Sequence, residues 1–473
     1  MNIIVKWGVY TNLNSLIPEL CEISGLLTQM LQSVDFRERV SMNIFDKKYY
    51  IALLGILIIF VLPQVVRAQN SPRLTLSDAV RIALKNNRQI AILQKDIEKA
   101  QGEREAASRI LQDNPEIAGE MTHRRKGAQS LTDFGISLSQ PIEIGRQRHY
   151  RMKIAEFNFL KVQLQLQKEK LVVTEKLKGI FIDLTALNMK FQSLQNILKV
   201  EQDLLQWFSI RATHGEISRV ALNTLRLEVL KTKEKLLDIQ RMIIAKRREL
   251  EWVMNSPLPE GMEIVYGWPR FPTKVEPEKL WGYAEEYNPD LKIALMELKR
   301  SEAELKLIKA GHMIPNFNFS LTRSREDNDN LIGVGLAIPL PLFNRRTGEI
   351  KAARAEQEKA ALELKRVHEK LRSEIYQQYE TLTLRERQRK LFVEEILPIT
   401  QQNLDKIKTR YQMGEISLMT LERFWDSWIE AKISYADFLQ KYYHTLCQIE
   451  LLVGVELNEV LKEHPLEEQK NEE

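Results

Sequence analysis

The chain has 473 residues, 44% of them hydrophobic, with 69 Lys+Arg against 64 Asp+Glu and a formal net charge of +5. Its length would allow about three domains, but a composition rich in Leu, Lys, Glu, Gln and Ala, with long stretches free of Gly and Pro, is that of long helices. The small positive excess is spread over mixed Lys/Glu faces, which excludes the concentrated basic footprint of a nucleic-acid binder.

In chain order, the first signal is for export. Asp46-Lys47-Lys48 precede an apolar run from Tyr49 to Leu62, closed by Pro63, and Val66-Arg67-Ala68 then carry a branched and a small residue at the two positions that define a cleavage site. This is a secretory signal peptide cleaved after Ala68; the run is short for a span of about 20 residues. Translation starts at Met1 or at Met42, just before the charged region; 1–41 is then an upstream leader, 42–68 the signal peptide and Gln69 the expected mature N-terminus. Cys21 lies in the leader, which leaves Cys447 alone in the mature chain as a packed helix residue and rules out a disulfide framework.

A first unit spans 69–255. Thr75 or Ser77 can cap a helix that starts at Ala79-Val80, and a longer helix runs through Ile90, Leu93, Ile97 and Ala100 to about Leu111 before Asn114-Pro115. The period then changes. Ile117, Gly119 and Met121 alternate with polar or small residues; a basic loop is expected from His123 to Ser130; Phe134, Ile136 and Leu138 alternate with Gly135, Ser137 and Ser139, and Pro141 closes the run. A very long helix follows from about Gly145 to Arg211, with Leu177, Ile180, Leu184, Leu187, Phe191, Leu194 and Leu198 on one seam; it reaches roughly 95–100 Å. The turn His214-Gly215-Glu216-Ile217-Ser218 ends it, with Gly215 suited to a helix C-terminus and Ser218 to the next N-cap. A return helix runs from Arg219 to Met254, and the Pro-rich segment 256–274 is a linker.

The second unit, 275–455, repeats the plan. Phe317, Phe319 and Leu321 form one apolar row, a charged loop is expected from Arg323 to Asn330, and Ile332, Val334, Leu336 and Ile338 alternate with Gly333, Gly335 and Ala337. A long helix from about Gly348, with a kink expected at Pro398, ends at Met413-Gly414-Glu415-Ile416-Ser417, and a last helix runs from Leu418 to Val453. Asn87 aligns with Asn288, Arg211 with Arg410, Leu222 with Leu421, and Leu250-Glu251 with Ile449-Glu450. Two copies of one unit imply a pseudo-symmetric body; the acidic tail 456–473 is expected to be disordered.

Each strand has about the nine residues that cross a bilayer when tilted, with one apolar and one polar or small face. The row Phe134, Ile136, Leu138, Phe317, Phe319, Leu321, Ile332, Val334 and Leu336 is therefore expected to face lipid. So few strands cannot close a barrel with a lumen, so their edges must pair with other chains. No nucleotide loop, paired-cysteine zinc motif or histidine cluster is present; no catalytic, cofactor or metal site is expected, and His214 reads as an exposed turn residue. The fold class is mainly α with a small transmembrane β-barrel, and the chain reads as a conduit, not an enzyme.

From about Arg73 to Val455 the sequence resembles the TolC-type outer membrane efflux proteins, and Ser139–Arg146 and Ile338–Arg345 resemble the CzcC-type branch that serves heavy-metal cation exporters. The resemblance implies a homotrimer in outer membrane lipid, with a twelve-stranded barrel and an α-helical barrel reaching into the periplasm. It also implies a periplasmic adaptor that docks on the two Gly-Glu-Ile-Ser tips, and an inner-membrane pump of the resistance-nodulation-division (RND) class. Acids that close such channels shortly after the tip glycine are replaced by Ala221 and Thr420. Tyr411 falls where a gating tyrosine is expected, and Glu422, Arg423 and Asp426 are further candidates for the gate, or else ordinary hydrated helix surface. Alternatives are a duct for drugs or secreted polypeptides and, from another class, a periplasmic coiled-coil scaffold without a pore.

Overall fold

The structure is a computed structural model that describes residues 73–127, 129–215, 217–259, 261–269, 276–313, 316–326, 329–340 and 343–457. The expected leader and signal peptide, Glu216 and all of the acidic tail beyond Leu457 lie outside these residues. Among the described residues no helix is long and apolar enough to cross a membrane.

Local chemistry sets the helix ends. After β1 (Arg73–Leu74), Thr75 Oγ1 accepts a hydrogen bond from the Asp78 amide at 3.2 Å and opens α1 (Leu76–Asn86); Ser77 is already inside the helix. Asn87 then serves two helices. Its amide donates to Ala83 O at 2.8 Å, and its Oδ1 accepts from the Ile90 amide at 3.1 Å to start α2 (Arg88–Ser108). Asn288 does the same between α5 (Pro277–Tyr287) and α6 (Pro289–Met313), with its amide on Ala284 O at 3.0 Å and its Oδ1 on the Leu291 amide at 2.9 Å. The expected extension of α2 to Leu111 does not form. Arg148 donates to Ser108 O at 2.9 and 2.7 Å and Arg151 to Ala107 O at 3.3 Å, so side chains satisfy the last carbonyls.

Two long helical hairpins dominate. α3 (Gln147–Thr213) has 67 residues, about 100 Å of helix, and returns as α4 (Arg219–Met254). α7 (Thr347–Lys390) passes through a π-helical turn, Leu391–Ile396, into α8 (Leu397–Gln412), and α9 (Leu418–Val453) returns. The break expected at Pro398 takes the form of that π turn, in which the Leu397 amide reaches back to Phe392 O. α3 is central and packs on α2, α4, α6 and α9. Its seam residues Leu177, Ile180, Phe181 and Leu184 join Leu74, Ala79, Ala83, Leu250, Met254 and Ile264 in one core; Leu280, Ala284, Leu371, Ile375, Ile449 and Val453 form a second. Each of the leucine, isoleucine, valine, methionine and phenylalanine side chains among them contributes about 1.5–3 kcal/mol on full burial.

Polar groups fasten these helices. Asp183 of α3 accepts hydrogen bonds from Gln440 and His444 of α9, both at 2.7 Å, and from Lys246 of α4 at 2.9 Å. Burial raises its pKa, but the bonds from His444, Lys246 and Gln440 outweigh that and hold the carboxyl at about 2. Cys447 is fully buried, and burial pushes its thiol up to about 12, consistent with packing. The linker carries structure of its own. Glu263–Ile264 form β4, parallel to β1, and Trp268 stacks on Tyr443 at 4.6 Å. Order also continues past Val455: Leu457 is buried, its amide bonded to Glu450 Oε1 at 3.1 Å. Glu251 takes the Leu258 amide in the same way at 3.1 Å.

The remaining strands, β2 (Glu116–Lys126), β3 (Gln129–Ile142), β5 (Phe317–Glu326) and β6 (Asp329–Ala337), form one antiparallel sheet in the order β2-β3-β5-β6. Both expected loops are corrected here. His123 to Lys126 and Arg323 to Glu326 are strand, and the Lys126–Gln129 and Glu326–Asp329 pairs leave only two residues between the strands of each hairpin, with Gly127 at φ 61°. Pro141 does not close β3 but pairs with Asn318; its missing amide lies beyond Glu116–Ser139, the last pair with β2.

Candidate functional site

The sheet register sorts the strand residues into two faces. Leu138 stands opposite Ile117 and Leu321, and Leu321 opposite Val334; Ile136 is level with Ile332, Gln140 with Phe319 and Leu336, and Ile142 with Phe317. Phe134, Ile136, Leu138, Phe317, Phe319, Leu321, Ile332, Val334 and Leu336 thus share one face, and all but the half-buried Phe317 are exposed, Ile332 to 82% and Val334 to 71%. The other face carries Ser137, Ser139, Ser320, Thr322, Gly333 and Gly335. A Cβ at Gly335 would stand 2.4 Å from Ser320 Oγ, and one at Gly333 2.7 Å from Thr322 Oγ1, so this face has little room for larger side chains. Among the described residues neither β2 nor β6 has a partner on its outer edge.

The two tips lie at the other ends of the hairpins. Gly215 and Gly414 take φ 74° and 78°, the left-handed conformation that glycine adopts without penalty, and nothing lies within 4 Å of where a Cβ would be. Ser218 Oγ accepts the Ala221 amide at 3.2 Å and Ser417 Oγ the Thr420 amide at 3.3 Å, so the serines cap the return helices. Glu415 is held by Arg410 at 2.9 Å, Ile217 and Ile416 are half-buried, and Met413 is exposed. His214 stays within its own turn, its Nδ1 donating to Ile210 O at 2.8 Å.

The gate candidates separate. Tyr411 is half-buried, its ring parallel to Phe208 at 5.9 Å and beside Trp207 at 6.1 Å, and burial raises its phenol pKa. Arg423 is exposed. Glu422 and Asp426, one helical turn apart, instead line a small cavity with Leu421 and Trp425 of α9, Glu201 and Leu204 of α3, and Leu225 and Glu228 of α4. Glu201 is 5% exposed. Its Oε1 accepts from Thr232 Oγ1 at 2.9 Å, while Glu201 Oε2, Glu422 Oε1 and Trp425 Nε1 have no hydrogen-bond partner among the described residues. Burial, helped by the charges of Glu228 and Asp426, pushes Glu201 up to about 7; burial and the same neighbours raise Glu422. Sequence reasoning missed Glu201 and Glu228. The available signal was that Glu201 occupies a seam position between Ile197 and Leu204, where the helical period calls for an apolar side chain.

Comparison with known proteins agrees with this geometry. The family described as outer membrane efflux protein matches residues 79–256 and 280–455. The chain is 22% identical over 417 residues to the cobalt-zinc-cadmium resistance protein CzcC of Cupriavidus metallidurans, covering 85% of this chain and 98% of that one. Its fold is similar to the outer membrane protein VceC of Vibrio cholerae (TM-score 0.68, 13% identity, 81% of this chain and 96% of that one). It is likewise similar to the open state of the MtrE outer membrane channel of Neisseria gonorrhoeae (TM-score 0.64, 13% identity, 81% and 89%). With a sheet of two-faced strands joined to long helical hairpins, and with both halves of the chain matched, this protein belongs to the outer membrane efflux protein family.

Proposed function

We propose that this outer membrane efflux channel is the passive exit duct of a tripartite system for heavy-metal cations. The observation that carries the reading is the sheet: two faces of opposite character and two edges unpaired among the described residues. Three copies joined edge to edge give a twelve-stranded barrel with no free edge, the apolar row toward lipid and the Ser/Thr/Gly face toward water. A hydrated lumen spares a cation the cost of entering hydrocarbon. The helical hairpins extend from the sheet into the periplasm, where the Gly215 and Gly414 tips receive the adaptor, and an RND pump in the inner membrane supplies the energy. The metal assignment rests on the similarity to the cobalt-zinc-cadmium resistance protein over nearly its whole length.

Deleting the gene is expected to sensitise cells to divalent cobalt, zinc and cadmium more than to organic drugs, with rescue by the wild-type chain. A drug-only phenotype would overturn the metal assignment. Gly414→Val, or Gly215→Val, places a β-branched residue at positive φ, a strain of roughly 1–2 kcal/mol. Both are expected to keep the protein in the membrane while weakening adaptor capture roughly tenfold, read by site-specific crosslinking. Unchanged crosslinking and unchanged metal tolerance would show that the tips are not the docking surface.

A further inference from the structure

The outward face of the sheet is not apolar along its whole height. On β5 the row Phe317, Phe319, Leu321 continues into Arg323 and Arg325, and on β2 the row Ile117, Gly119, Met121 continues into His123 and Arg125. These arginines and His123 all stand at the end of the sheet away from the helices. At the helix end the same face carries only Ile142, Phe317, Gln140, Phe319 and Leu336. Arg323 is flanked by Ile136 on one side and Ile332 on the other, and Arg325 by Phe134. The two arginines are one row apart, about 6.8 Å along the strand.

Arg125 and Arg323 differ in pairing from the inward cation. Arg124, on the opposite face, pairs with Asp133 at 3.2 Å. Arg125 and Arg323 are exposed and have no ion-pair partner among the described residues. An arginine turned to lipid costs roughly 2–4 kcal/mol at mid-membrane and little near the headgroups, so an outward guanidinium amid isoleucine and phenylalanine is stable where it can reach an anion at the membrane surface. Its planar fork matches two phosphate oxygens at once, which a lysine ammonium does not. With the helices in the periplasm, the turn end of the sheet lies at the outer leaflet.

We propose that Arg323 and Arg325, with Arg125 beyond them, form a binding site for the phosphate-bearing headgroup of an outer-leaflet lipid. The proposal rests on the reading that this face meets lipid. The acyl chains of the bound lipid lie along the apolar row beneath the arginines, so the occupant is an amphiphile and not a free anion.

The test uses the full chain extracted from outer membranes. Native mass spectrometry is run after addition of bisphosphorylated lipid A, of the same lipid with its phosphates removed, or of inorganic phosphate. The wild type is expected to retain the phosphorylated lipid roughly tenfold better than the dephosphorylated one. Arg323→Gln/Arg325→Gln should abolish that preference, and Arg323→Lys/Arg325→Lys should keep it only in part. Inorganic phosphate should not compete at concentrations matched to the lipid. Equal retention of the two lipids by the wild type, an unchanged preference in the double variant, or displacement by inorganic phosphate would each overturn the site. Flotation with phosphatidylethanolamine vesicles separates the two levels of failure. A chain that floats but shows no phosphate preference refutes the lipid site alone, whereas one that does not float refutes the lipid-facing sheet as well.

Discussion

Replacing Gly454 by valine is expected to destabilise the protein by about 3–5 kcal/mol, seen as a lower thermal midpoint and less folded protein in the membrane fraction. Two costs combine at this position. Gly454 closes α9 at φ 88°, in the left-handed region, and a Cβ there would stand 2.7 Å from Asn288 Cα, 2.9 Å from Pro289 Cδ and 2.9 Å from Tyr287 O. Those atoms belong to the joint between α5 and α6, which Asn288 also ties to α9 by donating from Nδ2 to Leu452 O at 2.7 Å. Neither backbone nor proline ring can swing aside as a flexible side chain would. Asn255 closes α4 in the same conformation, at φ 48°, with its own Nδ2 on Asn86 O at 3.1 Å; asparagine tolerates the left-handed region and has space there. Gly102→Ala in α2 is the control: nothing lies within 4 Å, and the better helix former is expected to add up to about 1 kcal/mol. A Gly454→Val protein that melts with the wild type would mean that α9 does not dock on this joint.

Periodic features of the fold were legible in the sequence; those depending on a distant partner were not. The α3 seam through Leu177, Ile180, Leu184 and Leu194 follows from spacing alone, because a helix that buries one face must repeat every three or four residues. Strand alternation likewise places Phe319, Leu321, Val334 and Leu336 on one face. Strand length was hidden. Arg124, Arg125, Arg323 and Arg325 resemble loop residues by composition, yet the ladder needs only their backbones, and a side chain at the end of a strand is free to be charged. The pairing of β3 with β5, Leu138 opposite Leu321, joins segments far apart in the chain and leaves no local mark. Arg146 and Arg346, at φ 64° and 51°, enter α3 and α7 in a conformation that nothing in an arginine announces. At the tip, Glu422, Arg423 and Asp426 look equivalent by distance from Gly414. The helical period separates them: 422 and 426 lie one turn apart on the cavity side, and 423 is rotated about 100° away.

Glu201→Gln is expected to remove a pH dependence of the tip. In the folded protein the Glu201 carboxyl titrates at about 7, against 4.5 without the burial. Between those values the folded state holds more protons than the unfolded one, so stability falls as pH rises. The contribution is intact below 4.5, declines toward 7 and is lost above it, a difference of about 3 kcal/mol for this buried group. The surroundings explain why the charge is poorly tolerated. Thr232 of α4 donates a hydrogen bond, Lys235 attracts more distantly, and Glu228 and Asp426 repel, while Lys231 is engaged by Glu228 at 2.6 Å. A glutamine amide keeps the Thr232 bond through its oxygen and turns an N–H toward the acids, with no charge to bury. The variant should therefore melt with the wild type near pH 4.5 and above it by several degrees at about pH 8.5. In planar bilayers the wild-type resting conductance should rise with pH as α3, α4 and α9 loosen around the ionised carboxylate, and the variant's should not. Equal pH slopes in both proteins would show that Glu201 is an inert buried group and that any control of conductance lies elsewhere on these helices.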